Sequence, residues 1–152
     1  MRLREKVVQD YEQEGVTLSY VEFTKEFQEI RDYVTHKGER ITAYSEKNEA
    51  VSVRVEDILY FEAVGELVFA YLENRMYEVK LRLYQVEEKI KMESIMRASK
   101  SVLLNLEHIV SVRPALNGRL YAKMENGEEV LISRKYAKQV AKYIMEDEEY
   151  GG

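Results

Sequence analysis

The chain contains no cysteine, which removes disulfide frameworks, thiolate metal sites and cysteine nucleophiles from consideration. Its folded state therefore rests on packing. Histidine is nearly as scarce: His36 and His108 are the only two, and neither stands in an H-E-x-x-H or comparable ligand spacing. No G-x-S-x-G or P-loop pattern occurs. The adjacent acid pairs Glu87-Glu88 and Glu128-Glu129 lack a surrounding constellation for acid–base work and read as solvated faces. These absences argue against an enzyme and give no reason to expect a cofactor or a metal. No run approaches the roughly 18 consecutive apolar residues of a membrane span. The opening residues, M-R-L-R-E, meet charges before any signal-like apolar region forms, so a cytoplasmic protein is expected.

The 152 residues, 45% of them hydrophobic, suit one domain with a modest N-terminal addition. The net charge of -5 speaks against a polyanionic partner until its distribution is considered. Acid gathers in the terminal run Glu146, Asp147, Glu148 and Glu149. From residue 97 to residue 142, by contrast, nine cations face four acids, so that segment is locally basic. Within it, R-A-S-K-S at residues 97–101 and S-R-K-Y at residues 133–136 combine small hydroxyls with phosphate-seeking cations.

Twelve tyrosines, many β-branched residues and two Asn-Gly pairs favour a mainly β fold with a few helices, an α+β arrangement. Alternation predicts a strand at residues 16–23. Thr24 then caps a helix whose Phe27, Ile30 and Val34 share one face and which stops at Gly38. The first dozen residues fit two patterns equally, a helical face of Leu3, Val7 and Tyr11 or an edge strand over residues 2–8. Short strands follow near residues 41–45, 49–53, 58–63, 67–73 and 76–80, then a helix with Leu83, Val86 and Ile90 on one side. Extended segments at 95–98, 101–104 and 109–113 precede Pro114, the single proline. Asn126-Gly127 joins strands at 119–124 and 129–133 as a two-residue hairpin. A last helix covers residues 134–145, with Ser133 as its N-cap and Tyr136, Val140, Tyr143 and Ile144 inward.

The helices are too far apart in sequence for a helix-turn-helix, so loops or strands would have to read nucleic acid. Tyr60, Phe61, Phe69 and Tyr71 alternate as core residues do, rather than forming an RNA-stacking strand.

Ordered runs along the chain carry a resemblance. They are I-L-Y-F-E-A at 58–63, L-R-L-Y-Q-V-E-E-K at 81–89, I-M-R-A-S-K-S-V-L-L-N-L at 95–106, I-V-S-V-R-P at 109–114, N-G-R at 117–119, and N-G-E with I-S-R-K-Y towards the end. Together they resemble the LytTR DNA-binding domain over about two thirds of the chain. No receiver-like segment stands ahead of them, so the chain is similar to short, stand-alone members of that family. The resemblance implies elongated antiparallel β-sheets that present loops to successive major grooves. Those loops correspond to Val64, Gly65 and Glu66, to Ser99, Lys100 and Ser101, and to Arg134 and Lys135. Glu66 departs from the neutral or basic side chain common there, which argues against a DNA role for it. The resemblance also implies a membrane-protein partner encoded nearby.

The division expected is an extension over residues 1–48, serving dimerisation or sensing, a DNA-binding domain over 49–145 and an acidic tail over 146–152. The function expected is a sequence-specific, double-stranded DNA-binding transcriptional regulator, response-regulator-like and acting as a homodimer on promoter repeats. Ser99, Lys100, Ser101, Arg119, Ser133, Arg134, Lys135 and Lys138 are its candidate DNA contacts. Arg97 supports them, paired with a carboxylate such as Glu62. The rival reading is an interaction module that controls another regulator or a membrane partner through its acidic surface.

Overall fold

The computed structural model describes residues 2–10, 15–36 and 38–151. Two compact units emerge, Met1–Lys37 and Gly38–Gly152.

Among its described residues the first unit contains one helix, α1 (Lys25–His36). The Thr24 carbonyl accepts from the Gln28 amide at 3.0 Å, opening the helical ladder as the Thr24 cap predicted. Residues 15–24, by contrast, form no strand. Alternation alone is insufficient here: a strand needs a neighbour for its backbone donors and acceptors, and no described residue pairs with this segment. Instead, Tyr20 packs against Phe23 and Phe27, with ring centroids 5.2 and 5.4 Å apart. Residues 2–10 have no regular structure, and Tyr11, part of the alternative helical face, lies outside the described residues.

The second unit opens with β1 (Arg40–Tyr44), β2 (Ala50–Arg54), β3 (Tyr60–Val64), β4 (Leu67–Tyr71) and β5 (Met76–Val79). After α2 (Leu83–Lys89) come β6 (Ile95–Ser99), β7 (Val102–Asn105), β8 (Ile109–Pro114), β9 (Leu120–Met124) and β10 (Glu129–Ile132), and α3 (Arg134–Gly151) closes the chain. Seven strands form one sheet in the order β2-β1-β5-β4-β3-β7-β6, and three form another in the order β10-β9-β8. All pairings are antiparallel, as the short turn-linked strands led us to expect. α3 continues to Gly151, so most of the run assigned to an acidic tail belongs to a helix.

Alternating residues of the large sheet feed two cores. Phe61 and Leu103 join Ile41, Val68, Leu83 and Val86 beneath α2. Tyr60, Val102 and Leu104 face the other way and pack with Ala122, Met124, Ile132, Ala137 and Val140, from the small sheet and α3. β7 is thus buried along its whole length on both faces. Asn105, at its end and fully buried, donates through Nδ2 to the Ile58 carbonyl at 2.9 Å, while its Oδ1 accepts from the Glu107 amide at 3.2 Å. His108 links the two sheets: Nδ1 lies 2.7 Å from a Glu125 carboxylate oxygen and Nε2 lies 2.5 Å from the Glu56 carbonyl.

Candidate nucleic-acid interface

Strand order brings three turns to one end of the second unit. β3 runs antiparallel to β7, and the Ala63 amide donates to the Ser101 carbonyl at 2.8 Å, so the β3–β4 turn and the β6–β7 turn are neighbours. The Ser133 amide donates to the Ala98 carbonyl at 2.8 Å, which places the start of α3 beside the same β6–β7 turn. The three loops implied by the resemblance therefore share one end of the fold.

The β3–β4 connection is a two-residue turn through Gly65 and Glu66. Gly65 has φ of +61°, an angle that side chains rarely adopt, and Val64 pairs with Leu67 across it. The β6–β7 turn holds Lys100 and Ser101, and the Ser101 amide donates to Ser99 Oγ at 3.2 Å. Arg97 braces it from below. Its Nη1 donates to the Lys100 carbonyl at 2.9 Å and its Nε to Glu87 at 2.8 Å. The supporting role of Arg97 is consistent with this geometry, but its carboxylate partner is Glu87 of α2 rather than Glu62. β7 lies between β6 and β3, which puts Glu62 two strands away, roughly 10 Å.

At the third loop, the Ser133 carbonyl accepts from the amides of Tyr136 and Ala137, both at 3.0 Å, and so starts the helix. The side chain of Arg134 lies against the turn before β9. A methyl group placed on Gly118 would stand 3.3 Å from Arg134 Cγ, and Gly118 itself has φ of +74°. The bare glycine leaves room for the guanidinium stem, a role the Asn117-Gly118 signal did not announce. Arg119, next in sequence, is tied back by a 2.9 Å bond from Nε to the Leu116 carbonyl.

Lys100, Arg134, Lys135 and Lys138 are exposed, and none forms an ion pair among the described residues. Lys135 Nζ sits 5.3 Å from the centre of the Tyr136 ring. Ser99 and Ser133 are half-buried and Ser101 is exposed. Glu66 stands at the tip of the neighbouring turn, whereas Glu107 lies beyond the opposite end of β7 and accepts from the Tyr143 hydroxyl at 2.7 Å. Glu107 is therefore remote from the basic turns.

Beside these loops runs a groove of about 900 Å³ whose lining includes Tyr60, Glu62, Tyr71, Ser99, Ser101 and Glu128. Tyr60 and Tyr71 stack with centroids 4.6 Å apart. Phe61 is fully buried, as expected of a core residue, but Tyr71 and Phe69 are only half-buried. Burial first, and then the charges of Glu62 and Glu128, hold the Tyr71 hydroxyl above its usual pKa. Burial likewise raises Tyr60, against the opposing hydrogen bond with Asn126. Both phenols thus stay neutral at ordinary pH, and the carboxylates of Glu62 and Glu128, in no ion pair among the described residues, make the groove unfavourable for phosphate.

The LytTr DNA-binding domain family model matches residues 48–145. The chain belongs to this LytTR family. The sensory transduction protein LytT of Bacillus anthracis is 27% identical over 145 residues, covering 91% of this chain and 59% of that protein. A protein of Staphylococcus aureus named as an uncharacterised HTH-type transcriptional regulator is 28% identical over 104 residues, covering 68% of this chain and 69% of its own length. The LytTR chain described here thus spans about three fifths of the length of the LytT relatives. A solved LytTr DNA-binding domain from Bacillus cereus superposes with a TM-score of 0.63 at 24% identity, covering 69% of this chain and 95% of the other, and shares the fold. Five strands separate α2 from α3, and the described residues of this LytTR chain contain no helix-turn-helix. Nor does any described helix have the length and apolarity to cross a membrane.

Proposed function

We propose that this LytTR chain is a transcriptional regulator that reads double-stranded DNA sequence in the major groove through the turns at residues 99–101 and 133–135. The observation that carries the reading is the convergence of Lys100, Arg134 and Lys135, without acidic partners among the described residues, on turns braced from within by Arg97 and Gly118. Unneutralised cations on hydrogen-bonded turns suit base-edge and phosphate recognition.

Arg134 presents a guanidinium able to donate two parallel bonds to a guanine edge, worth roughly 1–3 kcal/mol of discrimination. Lys100 reaches a base or the adjoining phosphate, with the hydroxyls of Ser99, Ser101 and Ser133 beside it. Arg119, Lys135 and Lys138 supply counterion-release affinity. Arg97 remains a positioning residue. Two copies on repeated half-sites give the affinity that one small module lacks. A membrane protein encoded nearby is the expected source of the signal.

The test is fluorescence anisotropy of the full chain against the DNA upstream of its own gene and a scrambled duplex, at two salt concentrations. Salt-sensitive preference for the upstream duplex is the expected result. A folded protein that binds neither duplex refutes the reading and favours an interaction module working through its carboxylates.

A further inference from the structure

None of the described residues between 2 and 34 is buried, although the stretch is rich in apolar side chains. Tyr20 is 51% exposed, Tyr33 65% and Val34 41%. A helix of 12 residues such as α1 is marginal in water without an apolar surface to cover it. The spacing of its apolar residues identifies that surface. Within the helix, Phe27, Ile30 and Val34 follow one another at intervals of three and four, the alternation of a and d positions in a heptad, and Phe23 lies just before it.

Charge then selects the occupant. With Phe27 and Val34 at a and Ile30 at d, Glu26 falls at g and Arg31 at e, and both are exposed. The other flanking position within the helix, Tyr33, is neutral. The Arg31 guanidinium lies 4.7 Å over the Phe23 ring, which holds it at the margin of the apolar seam. In a parallel pair, g of one helix meets e of the following heptad on its neighbour, so Glu26 meets Arg31 of a second copy, twice by symmetry. Antiparallel helices would instead set Glu26 against Glu26 and Arg31 against Arg31.

We infer that two copies of this chain associate through α1, packed in parallel along Phe27, Ile30 and Val34 and aligned by Glu26–Arg31 pairs. This deepens the two-copy reading above by naming its contact, yet it requires no DNA, so the two stand or fall separately.

Sedimentation equilibrium of the full chain without DNA tests it. The wild-type chain forms a dimer. Glu26→Arg and Arg31→Glu each weaken the dimer roughly tenfold, because two attractive pairs become repulsive, and the double variant returns to near the wild-type constant. Because the chain has no cysteine, Val34→Cys and Lys25→Cys give an unambiguous geometric check. Under mild oxidation Val34→Cys cross-links to its own copy, whereas Lys25→Cys, on the outer face, does not. A wild-type chain that stays monomeric overturns the inference. So does a dimer indifferent to both charge reversals, or equal cross-linking at the two positions, even where DNA binding is intact.

Discussion

Replacing Asn105 with alanine offers the most direct test of how the second unit is held together. The side chain is fully buried and satisfies two backbone groups at once, the Ile58 carbonyl at 2.9 Å and the Glu107 amide at 3.2 Å. Truncation leaves the carbonyl buried without this partner, at about 1–3 kcal/mol. The amide is partly buried and adds up to about 1 kcal/mol, and the void left by the carboxamide adds about 1 more. The expected loss is therefore about 3 kcal/mol, a large share of the ~5–15 kcal/mol typical of a domain. Urea denaturation followed by tyrosine fluorescence and far-UV circular dichroism should show a lower midpoint with an unchanged slope. Ser94→Ala provides the contrast. Its hydroxyl is buried with no partner among the described residues, so removing it should cost nothing and is worth up to about 1 kcal/mol of added stability. A loss below about 1 kcal/mol for Asn105→Ala, or equal losses for the two variants, would refute the claim that Asn105 fastens β7 to the segment preceding β3 through Ile58 and shapes the turn after β7 through Glu107.

Other predictions concern charge. Burial disfavours a charged His108, but the Glu56 carbonyl, the Glu125 carboxylate and nearby Asp57 outweigh it and raise its pKa above the ordinary 6.5. The His108 contribution to stability should therefore be complete below about pH 6.5 and disappear as pH rises through the folded-state value. Denaturation of wild type and His108→Gln across that range should show their stability gap closing at higher pH; a constant gap contradicts the assignment. Arg134→Ala should weaken binding to cognate DNA more than to scrambled DNA, whereas Lys138→Ala should weaken both alike and lower the salt slope by about one unit or less. Equal losses on both duplexes for Arg134→Ala would remove its base-reading role. Gly118→Ala introduces a side chain at φ of +74° and presses on Arg134, so it should cost about 1–2 kcal/mol and weaken DNA binding in anisotropy titrations.

Local chemistry made much of this legible in the sequence. Asn126-Gly127 announced the β9–β10 hairpin but not its length: Met124 bonds Glu128, so residues 125–127 form the connection rather than the two residues expected, and only Gly127 takes a positive φ, of +85°. The three-and-four spacing of Leu83, Val86 and Ile90 announced α2. The alternation at residues 16–23 misled because periodicity describes a strand's faces and says nothing of whether a partner exists for its backbone. The exchange of Glu62 for Glu87 beside Arg97 has a similar origin. Strand order is a long-range property, and with β7 inserted between β3 and β6 the nearest carboxylate is ten residues back along the chain. The nearness of the Lys100 turn to the start of α3 was likewise invisible locally, since it comes from long-range packing of Ala98 with Ala137 and Val140 and from the bond between the Ser133 amide and the Ala98 carbonyl.

β7 is sealed on both faces by different cores, so neither layer can lift away without exposing it. Its amides should be among the slowest to exchange with deuterium, opening only when the whole unit unfolds. The Lys100 turn is joined directly to this strand. The residues offered to DNA are thus anchored to what should be the most kinetically protected backbone in the unit, which allows the turn little wandering before an encounter.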